Sequence, residues 1–369
     1  MNKKRMLVLC PFPQKVAAGQ RLKYEQYFER WQADGWEIDV SSFMDKKMWS
    51  IVYQKGHIFS KILGVFRGHL RRLYDLHRIP SYDLVYIFMY VTPLLTSITE
   101  RAARAQAKRL IYDIEDNIHV QQNSHSQINP NPIVKFLKWP GKVKYLIRAA
   151  DHVITSSPFL NIDCKRITTT GYCSYVTSSL DIERYKPKSE YSNDNKVIIG
   201  WTGTHSSKEY LDQLTNVFHR LAERVSFKLR VIGNFKYDLP GIDLEVVEWS
   251  IDREISDLQS FDIGVYPLPL DNWVHGKSGL KAIQYMAIGL PCVATEVGTT
   301  PMLITDNVNG KLVKTEDEWV DVLEKLVRDP ESRRRIGEQA RRDAVSNYSL
   351  DIIGDIYDKI IESVMNKVK

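Results

Sequence analysis

Between Phe261 and Gly298 the chain reads FDIGVYPLPLDNWVHGKSGLKAIQYMAIGLPCVATEVG. Within it, Gly276-Lys277-Ser278-Gly279 places small residues, a lysine and backbone amides where a helix should begin. First-turn N–H groups and the helix dipole both favour negative charge, so the pattern suits an anion, and phosphate is the first candidate. A second group closes the apolar run Leu110–Ile114, where Asp113, Glu115 and Asp116 gather. In an extended chain Asp113 and Glu115 share a face and Asp116 points away. Their oxygens suit Mg²⁺, a positioning or proton-accepting role, or helix capping by Asp116. The third group is Ala17-Ala18-Gly19-Gln20-Arg21, in which a glycine permits close backbone approach and an arginine follows at a helix start.

These groups need elements to hold them. Short apolar runs predict strands at Met6–Cys10, Ile38–Ser41, Leu84–Phe88, Leu110–Ile114 and His152–Thr155. A second set follows at Val197–Gly200, Leu229–Ile232, Leu244–Glu248, Ile263–Tyr266 and Cys292–Thr295. Helical periodicity separates them, at Gln20–Ala33, Phe59–Leu76, Leu94–Ala107, Ile133–Ala149, Lys208–Glu223, Gly279–Ile288, Asp317–Val327 and Glu331–Tyr348. Such alternation predicts parallel sheets covered by helices. The polar stretch Lys186–Asn195 reads as a linker. It divides the chain into a first domain over 1–190 and a second over 191–349, with 350–369 free to cross back to the first. Two doubly wound domains facing across a cleft would place ligands at their strand carboxyl ends.

A chain of 369 residues, 43% hydrophobic and 26% charged, is globular and too long for one small core. Its four cysteines form no close metal-ligand pair and fit a reducing, cytoplasmic setting. The first apolar run ends at Pro11, too short for a signal peptide, and no segment reaches membrane-spanning length. Charge is uneven. Residues 1–170 hold 26 Lys/Arg against 14 Asp/Glu, and residues 171–369 hold 25 against 31. The basic half calls for an anionic partner, but no zinc-finger spacing, basic repeat or RNA-binding aromatic motif points to nucleic acid. An anionic membrane surface or a phosphate-bearing substrate fits better. Lys55–Arg78 is the candidate docking segment, where apolar residues recur at three- and four-residue steps among Lys61, Arg67, Arg71, Arg72 and Arg78; the alternative is a domain helix with its apolar stripe packed and its basic face wet.

Taken in order, the glycine loop at Gly19, IIGWTGTHSSKEYL from Ile198, the Phe261–Thr295 stretch and the tail DNVNGKLVKTEDEW…DPESRRRIGEQARRDAVSNYS give the chain its likeness. It resembles glycosyltransferase family 4, retaining enzymes of the GT-B fold with two Rossmann-like domains and the donor site mainly in the second. The resemblance covers most of the chain and is strongest from Ile198 to Tyr348. It implies a nucleotide-sugar donor, UDP-linked, with no metal and no further cofactor. The acceptor it implies is lipid-linked or a growing saccharide, in bacterial surface glycan synthesis at the inner face of the cell membrane.

The departures from that family are specific. It carries two glutamates separated by seven residues, and the matching positions here are Gly276 and Gln284. Gln284 keeps hydrogen bonding to ribose without charge. Sugar recognition then passes to Trp273, His275 and Lys277. The family's first-domain histidine is also missing, and Glu115 or Asp116 stands near its place. The expected site therefore has Lys277 and the amides of Ser278, Gly279 and Leu280 on the leaving phosphates. Gly203, Thr204 and Lys208 close from the other side; Lys281, four residues after Lys277, could face the phosphates too, with helix-surface charge as the favoured reading. Trp249 lies near the base, with a buried packing role as its alternative. Gly19 and Arg21 approach from the first domain. His119 and His125 border the acceptor, within a lid spanning Asn117–Pro132. Two other readings remain, a GT-B-fold epimerase or hydrolase of nucleotide sugars and a non-catalytic nucleotide-sugar-binding partner protein.

Overall fold

The computed structural model describes residues 3–52, 54, 56–93, 96–118, 141–188 and 196–367. His119, His125, the expected lid beyond Ile118 and the 189–195 part of the expected linker lie outside the described residues. The chain forms two compact units, one of Met1–Ser178 with Gly354–Lys369 and one of Ser179–Ile353.

In the first unit the strands are β1 (Lys4–Cys10), β2 (Trp36–Ser42), β3 (Leu84–Phe88), β4 (Leu110–Ile114), β5 (His152–Thr155) and β6 (Cys173–Tyr175). They form one sheet in the order β2-β1-β3-β4-β5-β6, and every pairing is parallel. β3 and β4 are buried along their whole length, because helices cover both faces of a parallel sheet and leave no wet side for polar alternation. The second unit contains β7 (Val197–Thr202), β8 (Phe227–Ile232), β9 (Leu244–Val247), β10 (Ile263–Tyr266), β11 (Cys292–Thr295) and β12 (Lys311–Val313). Their order is β12-β11-β10-β7-β8-β9, again all parallel. Both units are thus Rossmann-like. The strand order reverses between β1 and β3 and between β7 and β10, and crevices open at the carboxyl ends of such strand pairs.

Two strands, β6 and β12, escape the sequence pattern because each is a three-residue edge strand. The expected helix Gln20–Ala33 is broken into Ala18–Arg21, a 3₁₀ turn at Glu25–Tyr27, and Phe28–Ala33. At the break Gln20 folds back, its amide exchanging hydrogen bonds of 3.1 Å with the Phe12 backbone N–H and carbonyl. Lys23 turns inward to a buried ion pair with Asp113. The expected helix Lys208–Glu223 is likewise split, into Lys208–Asp212 and Thr215–Ala222. Residues 186–188 of the expected linker are already anchored in the second unit, where Lys188 Nζ lies 2.5 Å from the buried Asp262 carboxylate. The last helix, Leu350–Met365, packs from Gly354 onward on the first unit. Arg30 reaches Asp355 at 2.5 Å and Asp358 at 2.7 Å, and Trp31 Nε1 donates to Asp358 at 3.1 Å.

The basic helix Ile58–Arg78 differs from its expected form. Arg72 is fully buried: Nε donates to the Val91 carbonyl (2.7 Å), Nη2 to the Cys10 carbonyl (2.8 Å), and Nη1 to Asp75 (2.8 Å) and Ser41 Oγ (2.9 Å). Arg71 Nη1 donates to the carbonyls of Ser42 (2.6 Å) and Phe43 (3.1 Å). Both arginines tie the helix to the carboxyl ends of β1 and β2 and the loop after β3, and neither belongs to an outward basic face. The reason is helical spacing: Gly64, Gly68, Arg72 and Asp75 share the buried side, where Gly64 lets Met48 approach and Gly68 lets Phe43 in.

Arg72→Ala would take from the buried Asp75 its closest cation, leaving Ser41 Oγ at 2.6 Å and Arg78 at 3.5 Å, and would strand two buried carbonyls, a loss of about 3 kcal/mol. Scanning calorimetry should show the first unit melting roughly 10 °C lower, whereas Arg67→Ala, at an exposed position, should shift it little.

Candidate functional site

The anion loop of the second unit is built from β10 outward. Asp271 Oδ1 accepts from the amides of Trp273 (2.9 Å) and Val274 (3.1 Å), which starts the 3₁₀ turn Val274–Gly276. The Lys277 N–H then donates to the Val274 carbonyl (3.0 Å), and Thr299 Oγ1 donates to the Lys277 carbonyl (2.6 Å). Gly279 follows with φ +75°, and a Cβ there would lie 2.3 Å from Leu303 Cδ1, so only glycine fits. The helix Leu280–Ala287 starts at that point with no side-chain cap and no acid in its first turn. Its first amides are thus left for a ligand or water.

Two cations flank this helix start. Lys277 Nζ lies 5.8 Å from the Trp273 ring, and Trp273 Nε1 is buried with no hydrogen-bond partner among the described residues. Lys281 corrects its sequence assignment to the helix surface. Its Nζ sits 5.8 Å from the Trp201 ring and 5.7 Å from the Tyr266 ring, at the carboxyl ends of β7 and β10. Lys277 precedes the helix in extended backbone, before the left-handed Gly279, and Lys281 lies in its first turn, so the two cations stand on either side of the helix start. Trp201, Tyr266 and this lysine were the residues sequence reasoning undervalued. The available signal was the i,i+4 lysine spacing and a tryptophan two residues before Gly203.

The other expected residues sort differently. Gly203 and Gly233 lie against each other, since a Cβ on Gly233 would come within 2.7 Å of the Gly203 carbonyl oxygen. Thr204 caps the turn His205–Ser207, and its own N–H donates to Ser207 Oγ at 3.1 Å. Lys208 pairs with Asp212 at 2.7 Å and lies 5.1 Å from the Tyr237 ring. Trp249 is half-buried just past β9, the edge strand. His275 sits half-buried in the 3₁₀ turn, and Ser278 is buried beside it. Gln284 turns into the second unit, donating to the Tyr185 hydroxyl (3.1 Å), which in turn donates to Glu254 (3.2 Å).

In the first unit the glycine loop and the acidic strand end meet. A Cβ on Gly19 would lie 2.3 Å from Glu115 Oε2, so Glu115 rests on the loop's backbone. Asp113 is excluded from metal binding. It is fully buried and held by Lys23 and the Tyr86 hydroxyl, and burial pushes its carboxyl above the usual range despite that lysine. β4 ends at Ile114, so Asp113 lies within the strand and Glu115 just past it. Among the described residues no group of three His, Cys, Asp or Glu side chains could hold a metal ion. Lys15, Met89 and Asp116 have φ of +66°, +62° and +59°. They follow the carboxyl ends of β1, β3 and β4, and left-handed backbone at non-glycine residues collects where function requires it.

Residues 182–343 match the family described as Glycosyl transferases group 1. D-inositol 3-phosphate glycosyltransferase of Saccharomonospora viridis is 37% identical, but over only 22% of this chain and 21% of that enzyme. EpsD of Bacillus subtilis (strain 168), a protein named as a glycosyltransferase, is 21% identical over 91% of this chain and 92% of its own. The solved structure of Anabaena Alr3699/HepE in complex with UDP and glucose superposes with a TM-score of 0.69. It covers 98% of this chain and 100% of that one at 14% identity, a likeness of fold. The fold is GT-B.

Gly19→Ala should be destabilising while Glu115 is present and nearly neutral in a Glu115→Ala background. Denaturant titrations of the four proteins should give a coupling of roughly 1–2 kcal/mol. Strict additivity would show that the loop and the carboxylate do not press on each other.

Proposed function

Residues 182–343 being a Glycosyl transferases group 1 domain, we propose that the chain is a retaining glycosyltransferase. It transfers a sugar from a UDP-linked donor to a lipid-linked or saccharide acceptor in bacterial surface glycan synthesis. The observation that carries this reading is the uncapped helix start at Gly279, with Lys277 just before it and Lys281 in its first turn at the β7/β10 reversal. The HepE complex with UDP and glucose supports the choice of nucleotide by likeness of fold.

In the transfer, the bond between the donor's anomeric carbon and its β-phosphate oxygen breaks, and negative charge grows on the leaving diphosphate. Preorganised amides of Ser278, Gly279 and Leu280, with the two ammonium groups, stabilise that charge. The acceptor hydroxyl attacks the anomeric carbon and gives its proton to the departing phosphate oxygen, so no protein base is needed. Trp273 Nε1, a buried donor without a partner among the described residues, hydrogen-bonds a donor-sugar hydroxyl where Gly276 has replaced the family's glutamate. In the first unit, Glu115 and Asp116, with Gly19 and Arg21 of the loop that meets them, are assigned to the acceptor. Gln284 supports the helix from inside through Tyr185 and Glu254.

A panel of nucleotide sugars assayed with and without acceptor tests the reaction. Acceptor-dependent release of UDP is expected. Product formed without acceptor indicates an epimerase or hydrolase, and binding without turnover indicates a non-catalytic protein.

Replacing Lys281 or Lys277 by Ala should weaken UDP binding about ten- to a hundredfold, the range of one charge-assisted hydrogen bond. Calorimetric titration reads this, and unchanged affinity for Lys281→Ala would remove that lysine from the site. Trp273→Phe should leave UDP affinity within about threefold while lowering kcat/KM for the donor roughly tenfold. A parallel fall in both would mean that Trp273 merely packs the loop.

A further inference from the structure

The helix Ile58–Arg78 is 21 residues long, and one of its sides is uncovered among the described residues. Ile58, Phe59, Ile62, Phe66, Leu70 and Leu73 are exposed by 67%, 89%, 62%, 59%, 50% and 60%. At 100° per residue these six fall within an arc of about 120°, opposite the buried Gly64, Gly68, Arg72 and Asp75, along roughly 22 Å of helix. A continuous apolar stripe of that length marks an interaction surface.

Charge identifies the occupant. From Lys46 to Arg78 the sequence holds eight Lys/Arg (Lys46, Lys47, Lys55, Lys61, Arg67, Arg71, Arg72 and Arg78) and one acid, Asp75. That acid is buried against Arg72 at 2.8 Å, so the outer side of the helix carries no negative side chain. Arg67 is exposed at the stripe's border. Lys46 and Lys47 are exposed on the helix Lys46–Val52, which packs on Ile58–Arg78 where Met48 meets Gly64. A second copy of the chain would set these cations against one another across a two-fold contact. An anionic bilayer takes both features, the stripe into its acyl boundary and the cations among its phosphates. No described helix is long and apolar enough to cross a membrane, so this one lies in the interface plane.

We infer that the exposed face of Ile58–Arg78 docks the first unit on an anionic lipid bilayer, with Phe59, Phe66 and Leu70 inserted and Lys46, Lys47 and Arg67 at the headgroups. Its purpose, bringing the enzyme to a lipid-linked acceptor, rests on the proposed transfer reaction. The docking itself is measured without donor or acceptor, so either idea can fail alone.

The full chain should sediment with phosphatidylcholine vesicles that contain phosphatidylglycerol and not with phosphatidylcholine alone. Raising salt to roughly 0.5 M should weaken binding at least tenfold as the surface charges are screened. The triple variant Phe59→Ser, Phe66→Ser, Leu70→Ser changes only exposed positions, so it should keep its melting temperature and UDP affinity and lose at least tenfold in vesicle affinity. Lys46→Ser, Lys47→Ser, Arg67→Ser should lose a similar factor on anionic vesicles. Equal binding of neutral and anionic vesicles overturns the inference, as does retained binding in both variants. A concentration-dependent dimer of the wild type that the apolar variant abolishes overturns it in favour of a second copy.

Discussion

The proposed donor-side chemistry depends on one backbone constraint, the left-handed conformation of Gly279 packed on Leu303. With φ at +75° and Leu303 Cδ1 where a Cβ would stand, the chain turns from the 3₁₀ segment directly into the helix Leu280–Ala287. A capping Ser, Asp or Thr would satisfy the first amides with its own oxygen and fill the space a phosphate needs. Glycine leaves them open. The helix then carries Lys281 to the rings of Trp201 and Tyr266, the terminal aromatic residues of the two strands between which the sheet order reverses.

Around that constraint the protein separates charges buried in ion pairs from charges nearer the surface. Lys23 with Asp113, Arg72 with Asp75 and Lys188 with Asp262 are ion pairs whose acids are all buried, and each ties segments at or near strand ends. Buried pairs contribute little net stability but are costly to break, so they fix register and loop path more than they add free energy. Lys277, Lys281 and Arg67 are not fully buried, and none forms one of these pairs. The same division explains why a basic first half does not translate into a uniformly basic surface: Arg71 and Arg72 are bound to backbone carbonyls.

Much of this was legible in the sequence. Parallel strands covered on both faces must be continuously apolar, so ten of the twelve strands stand out as runs such as Leu84–Phe88 and Ile263–Tyr266. The two missed are three-residue edges, too short to show any period. Gly276-Lys277-Ser278-Gly279 was readable because helix starts and anion binding both depend on local residue type. The roles of Asp113, Gln284, Arg72 and Lys281 were not, because a titratable or polar side chain is defined by its partners.

The sequence by itself determined the alternation of strand and helix, the two Rossmann-like units and the place of the phosphate loop, all set by neighbours within a few residues. Only the tertiary structure decided which polar groups face inward. Lys23 meets Asp113 across 90 positions and Arg72 meets the Cys10 carbonyl across 62. Gln284 meets Tyr185 across 99. Electrostatics and hydrogen bonding act over a few ångströms of space, and separations of this size along the chain leave no trace in local pattern.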